Sequence, residues 1–423
     1  AMAAFSPFLV YYAQETRMYT LFAFNASVAI YALARLLTDP RAAQPIGSQF
    51  RDYARAWRSP APPETDRDAI FSYRVEASDL TGWRAWVARH HWLPIQAIET
   101  DLAWVIFILF SALTLYTHNT AVFLPLAANL FVLGLLLYRR TRKSAAEDAL
   151  QPPSLANWLK AQAAIFILWL PWLPSFIQQA SGVYRRFWIP APTWDGVIAT
   201  LKTFINASGP GPSTASTIVY ILAGAALVLA LVGFRKRLSR LVFLAVLFAV
   251  PFLGELAVSL WRPIFWERTL IWITIPLFVA MAAGIAQLRV RPLIFVTLGG
   301  LALVNLFSAS DYLRYYQKED WNTAARSVAG YTQKDDLILF NSNFVEIAFN
   351  YYFVPYENYY SLQVEKRGIP LDLFESAVLE PEMTASDIPG LLAQIKGHRR
   401  VWLVYSHQSY TDPQGLIPKT LAS

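Results

Sequence analysis

The chain has 423 residues, of which 55% are hydrophobic and only 15% charged, against roughly 25% charged in an ordinary soluble domain; this excludes water as the solvent for most of its length. The net charge of +7 comes without zinc-ligand spacing, a basic helix or an RNA-binding aromatic signature, so nucleic acid is excluded as a partner and membrane lipids are expected instead. With no Cys there is no disulfide framework, thiol nucleophile or thiolate metal site, and without a phosphate-cradling Gly-rich loop no nucleotide cofactor is expected.

The chain opens on Ala1-Met2-Ala3-Ala4, which runs into an apolar stretch with neither a basic n-region nor a cleavage site. Residues 5–11 read as the tail of a helix whose beginning is missing. Next come Gln14-Glu15-Thr16-Arg17-Met18-Tyr19, with a carboxylate and a guanidinium two residues apart at the mouth of the first span. Ionisable groups are costly there unless they have work or a partner; an interfacial Glu–Arg anchor is the plainer alternative.

A crossing helix needs about 20 mostly apolar residues, and the hydropathy pattern predicts spans over 18–37, 102–115, 121–138, 158–177, 217–234, 241–261 and 269–288, with a shorter eighth over 293–308. Lys and Arg retained in cytoplasmic loops give the orientation. Segments 38–100, 139–157, 235–240 and 289–292 carry 18 of them, against 6 in 1–17, 116–120, 178–216 and 262–268. The transmembrane domain is therefore expected over 1–310, with about eight spanning helices and a cytoplasmic insert at 38–100. Trp104, Trp158, Trp169, Trp172, Trp261, Trp266 and Trp272 lie near the ends of apolar runs, as an interfacial belt requires.

Within the insert, 83–92 reads either as an amphipathic helix on the membrane face or as a solvated loop, and His90-His91 has no evident third ligand. His118, in Tyr116-Thr117-His118-Asn119, is a candidate for binding metal or phosphate, or for a structural hydrogen bond. The loop 178–216 sets Arg185 and Arg186 beside Tyr184, Phe187 and Trp188, which suits either the lip of a groove for a phosphate-linked sugar or an interface anchor. Asn206-Ala207-Ser208 fits a glycosylation acceptor pattern that matters only in a eukaryotic secretory setting. Glu255 falls inside a span, making it a functional candidate by default, with a helix-to-helix hydrogen bond as the alternative. Arg268, in Trp266-Glu267-Arg268, is a phosphate ligand, a snorkelling anchor or the ion-pair partner of Glu267.

From Asp311 the composition becomes that of a soluble α/β domain over 311–423. Helices are predicted over 321–331, 343–353 and 387–396, and strands over 336–341 and 400–405, implying a small parallel or mixed sheet.

Ser6-Pro7, then Gln14-Glu15-Thr16-Arg17-Met18-Tyr19 leading into a span, resembles the second acidic motif of polyprenol-linked glycosyltransferases of the GT-C fold. The nearest group is the bacterial family 39 glycosyltransferases, relatives of protein mannosyltransferases and of the aminoarabinose transferase of lipid A. Leu115-Tyr116-Thr117-His118-Asn119 resembles their break between two spans, and Arg268-Thr269-Leu270 with Ile275-Pro276 resembles the start of their late helix. Asp320-Trp321, Asp335-Asp336 and Arg400-Val401-Trp402-Leu403-Val404 are similar to their C-terminal extracytoplasmic domain.

The resemblance implies a bacterial inner-membrane protein with a GT-C-like, polytopic α-helical fold and a small C-terminal extracytoplasmic α/β domain. It implies transfer of a sugar from a polyprenyl-phosphate donor to a glycan, lipid or protein acceptor, with inversion on the outer face. Glu15 would be the second carboxylate, orienting the acceptor or helping to hold Mg²⁺ or Mn²⁺. Arg17, Tyr19, His118, Arg185, Arg186 and Arg268 would line the substrate, with Arg17 and Arg268 forking onto the phosphate. The family's principal catalytic acid lies in a first outer loop upstream of where this sequence begins, so the expectation is a truncated chain, inactive by itself, or an inactive relative. A transporter or flippase of a lipid-linked substrate is the rival reading, although no pair of Gly/Pro-interrupted halves is seen; a non-catalytic membrane scaffold is the third.

Overall fold

Eight helical segments among the described residues are long and apolar enough to cross a membrane: Tyr19–Thr38, Glu99–Thr117, Asn119–Thr141, Leu155–Ser181, Ser216–Phe234, Leu238–Val258, Glu267–Ile285 and Arg291–Arg314. They are seen in a computed structural model that describes residues 3–15, 17–58, 99–141, 150–182, 189, 191–206, 214–235, 237–288, 290–315, 319–375 and 381–422. The 83–92 segment with His90-His91, Arg185 and Arg186, and Ala207-Ser208 lie outside these residues. The protein is thus a polytopic helical membrane protein. Its chain divides into two units, Ala1–Tyr315 and Tyr316–Ser423.

In the first unit, a helix α1 (Pro7–Ala13) is capped by Ser6, whose hydroxyl accepts from the Leu9 N–H, and Pro7 sits where a missing N–H costs nothing. The expectation for 5–11 therefore changes: this helix has its own start at Pro7. After it come α2 (Tyr19–Thr38), α3 (Ser48–Arg58) within the expected insert, α4 (Glu99–Thr117), α5 (Phe123–Thr141), α6 (Leu155–Trp169), α7 (Leu173–Gly182) and α8 (Trp194–Ile205). The unit closes with α9 (Thr214–Phe234), α10 (Leu238–Val258), α11 (Thr274–Ile285) and α12 (Arg291–Tyr315). The eighth span is longer than the hydropathy run suggests, because α12 carries on through Asp311 to Tyr315.

Deep in this unit lies the 3-10 turn Glu267–Ile273 feeding α11, with Leu270, Ile271, Trp272 and Ile273 all buried. Close approach at Gly284 joins α11 to α9: a Cβ there would come within 1.8 Å of the Ala226 carbonyl oxygen, so only glycine lets these backbones meet, as small residues do between membrane helices. The aromatic belt needs correction. Trp104, Trp158, Trp169 and Trp272 are buried in the protein, and of the seven only Trp261 is largely exposed. A Trp near the end of an apolar run packs against neighbouring helices as readily as against headgroups.

The second unit holds α13 (Trp321–Tyr331), β1 (Leu337–Phe340), α14 (Val345–Tyr359), β2 (Glu365–Gly368), α15 (Ile388–Ile395), β3 (Val401–Val404), α16 (Gln408–Thr411) and α17 (Leu416–Ala422). The three strands form a parallel sheet in the order β2-β1-β3. Central β1 is apolar throughout because both its faces are covered: Ile338 and Phe340 pack with Ala325, Ala329 and Phe349, while Leu337 and Leu339 pack with Met383, Leu391 and Ile417. The sequence pattern foresees α13, β1, α14, α15 and β3, but it misses β2.

Beside the sheet, burial pushes the Asp336 carboxyl up, yet the Arg400 guanidinium, the Gln333 N–H and the Trp402 indole outweigh it and hold the group at about 2. The sign follows: stability from this ion pair is present above the ordinary carboxylate range and is lost as pH falls through 2.

Candidate functional site

Up-and-down threading brings the start of α2, the end of α4 and the starts of the Asn119–Thr141 and Glu267–Ile285 spans to one end of the bundle. Tyr19 opens α2, and His118 occupies the break between α4 and the 3-10 turn Asn119–Val122. Their rings stand 6.1 Å apart, and His118 also stacks on Phe22 at 5.4 Å. The Arg268 guanidinium lies over the Tyr19 ring at 5.5 Å and near the Trp266 ring at 6.0 Å. Arg268, Tyr19 and His118, singled out in three distant stretches of sequence, therefore form one cluster. Arg17 pairs with Glu15 at 3.7 Å on the approach to it, Glu15 mostly covered and Arg17 about half exposed. That pair has the geometry of the plainer alternative, an interfacial anchor, as well as that of a site.

His118 has its direction fixed by its backbone. Its Nδ1 accepts the Thr120 N–H at 3.2 Å and lies 2.9 Å from the Thr120 hydroxyl, so the neutral ring carries its proton on Nε2 as a donor. The residue is half-buried, its ring set against Phe22 and Tyr19. That burial, with Arg268 second, pulls its titration down to about 4, so it is uncharged near neutral pH. Tyr12, in α1, is buried against Tyr19 at 5.2 Å. Burial first, and then the neighbouring Glu267 charge, push its phenol well above the usual tyrosine range, so it too stays a proton donor.

Behind the cluster lies Glu255, 1% exposed in α10. Its Oε2 is 2.6 Å from the Thr269 hydroxyl, while the Thr269 carbonyl accepts from the Thr120 hydroxyl at 3.3 Å. The helix-to-helix hydrogen bond considered for this residue is thus present, and the Thr120–Thr269 bond ties together the two turns that carry His118 and Arg268. Its other oxygen, Oε1, is buried with no hydrogen-bond partner among the described residues. Residue-by-residue reading of the sequence missed Tyr12, Phe22, Thr120 and Thr269. The signal available was position: Thr120 and Thr269 each lie within two residues of a candidate.

Among the described residues no group of three or more His, Asp or Glu side chains is gathered to hold a metal ion. Glu15 lies beside Arg17, and an oxygen-rich shell of the kind Mg²⁺ or Mn²⁺ takes would need further carboxylates beside it. No family model matches the chain, and no curated protein or solved structure is significantly similar to it.

Proposed function

We propose that this protein is a membrane glycosyltransferase that takes a sugar from a polyprenyl-phosphate donor and transfers it to a cell-envelope acceptor at the outer face of a bacterial inner membrane, the second unit lying on that face. What supports this reading above all is the guanidinium of Arg268 held over Tyr19 beside His118, at one end of a bundle of apolar helices. Lipid-borne phosphates lie at the ends of crossing helices, where the headgroups are. Arg keeps its charge in an apolar setting and forks onto phosphate oxygens, and the Nε2–H of His118 supplies a neutral donor beside it.

In the reaction, an acceptor hydroxyl oxygen bonds to the anomeric carbon from the face opposite the phosphate. The carbon–oxygen bond to phosphate breaks, its electron pair leaves on the polyprenyl phosphate, and the hydroxyl proton passes to a carboxylate base. Arg268 stabilises the charge developing on the leaving phosphate, an effect of the oxyanion-hole kind. Glu15, paired with Arg17 at the approach, orients the acceptor; no residue is assigned the part of the principal base. Protein in nanodiscs is expected to bind polyprenyl-phosphate sugars, and in liposomes carrying radiolabelled donor to pass label to envelope acceptors. Glu15→Gln is expected to lose transfer while keeping donor binding. Absence of donor binding by the wild-type protein would sink the reading.

A flippase for the same lipid remains the second reading, favoured by one observation: Glu255, a carboxyl buried among spans with one oxygen unpartnered, is the kind of group that proton-coupled carriers use. Movement of donor across the bilayer without transfer is its signature in the same liposomes.

A further inference from the structure

Beside His118 the described residues line an open cleft of about 110 Å³, bounded by Met18 at the start of α2 and by Tyr116, Thr117, His118, Asn119, Trp172 and Gln179. A single water needs roughly 10–15 Å³ on this measure, so the cleft has room for several waters or one small ring. We infer that it is the seat of an uncharged, hydroxyl-rich ring, the hexose or pentose of the lipid-linked donor, whose phosphate is held at Arg268. The inference rests on the transferase reading and adds to it which residues select the sugar.

The chemistry of the walls argues for this occupant. Tyr116 is locked in place by its hydroxyl, which donates to the Leu168 carbonyl at 2.8 Å. Trp172 stands 5.9 Å from it at an interplanar angle of 50°. Two inclined aromatic surfaces of this kind suit the C–H face of a sugar ring, which is apolar where its hydroxyls are not. Across the cleft Asn119 Nδ2 donates to Gln179 Oε1 at 3.0 Å. Whichever way the amides are turned, that single bond uses one donor and one acceptor. It leaves an amide oxygen and an amide N–H without a partner among the described residues, a pattern that matches a hydroxyl, itself both donor and acceptor.

Other occupants fit less well. No charged side chain lines the cleft, so a phosphate has nothing there to neutralise it. A lipid tail would strip water from the amide pair, Thr117 and His118 with nothing in return. The residues come from four separate places, the start of α2, the α4–α5 break, the turn at Trp172 and α7, so their convergence is not a by-product of one helix face.

The test compares two probes on the protein in nanodiscs: bare polyprenyl phosphate, and polyprenyl phosphate bearing glucose, mannose or a pentose. The wild type is expected to bind at least one glycosylated probe about tenfold more tightly than the bare one, a tenfold change being the scale of one well-placed hydrogen bond. The double variant Asn119→Ala/Gln179→Ala is expected to erase that difference while leaving the affinity for bare lipid unchanged. Trp172→Leu serves as a second variant and is expected to reduce the difference severalfold. Equal losses for both probes, a sugar advantage that survives the double variant, or no advantage in the wild type would overturn the cleft assignment alone. Failure of the wild type to bind either probe would overturn the transferase reading together with it.

Discussion

Both ends of the membrane unit are polar, and they differ in how their polar groups are spent. At the end built from the close of α2 and the start of α4, Asp101, only 3% exposed, accepts the Gly47 and Phe50 N–H groups at 2.9 Å each. Asp39 takes both arms of Arg41 and the Thr100 hydroxyl, Gln49 accepts the Thr100 N–H, and Arg35 pairs with Glu99 at 2.9 Å. Burial pushes the Asp39 carboxyl up, but the bonds from Arg41 and Thr100 more than reverse it and hold the group below the usual carboxylate range. At the opposite end, Glu255 keeps one buried oxygen unpartnered among the described residues, Arg268 lies on aromatic faces, and His118 carries its proton on Nε2, away from the Thr120 bond. A network whose bonds close on themselves holds a shape, here the folding of the 39–58 segment against the helix ends. One that leaves a buried carboxylate oxygen without a partner among the described residues keeps binding capacity for something beyond them.

The largest effect that would break this contrast is at Arg268. Arg268→Gln is expected to lower transfer by about 10²- to 10³-fold, the scale seen when one stabilising group of a developing oxyanion is removed, with thermal stability in detergent almost unchanged. A large fall in melting temperature would instead make Arg268 a fold anchor. Next is a paired measurement of unfolding. Asp101→Asn gives up acceptor strength toward two backbone donors and is expected to cost about 2 kcal/mol, whereas Glu255→Gln retains the Thr269 bond and is expected to cost under about 1 kcal/mol. Equal costs would erase the distinction between the two ends. The smallest effect is a flat line: with His118 titrating near 4, donor binding is expected to hold steady from pH 8 to pH 5. Because the folded value lies below the ordinary 6.5, the stability tied to the neutral ring is complete above the ordinary value and declines as pH falls toward 4. A midpoint near 6.5 would show that the imidazole is not enclosed as described.

The parts of the fold that were legible are those in which neighbours in sequence decide the outcome. Apolar runs fix the spans, and α13 announces itself through Asp320, whose carboxylate caps it by accepting the Thr323 N–H at 2.9 Å. Strand β2 was not legible, because Glu365-Lys366-Arg367-Gly368 has neither alternation nor an apolar run. It is a strand only because it pairs in parallel with β1, and as an edge it tolerates charge. Trp104 and Trp158 misled for a related reason: composition reports that an indole stands near a helix end, while the neighbouring helix decides whether it meets lipid or protein. At the site, Arg268, Tyr19 and His118 were visible as individuals, and their meeting was not. Glu255 could be marked as unusual, yet its partner Thr269 belongs to another segment.

By itself the sequence determined that this is a protein of about eight apolar crossings with a different composition after residue 311, because transfer into lipid is summed over adjacent residues and needs no knowledge of contacts. Only the tertiary structure decided that the turns at His118 and Arg268 are joined through Thr120 and Thr269 and that an amide pair faces two aromatic rings across a cleft. Thr120 and Thr269 are 149 positions apart, and no local rule of hydropathy or propensity reaches across such a distance.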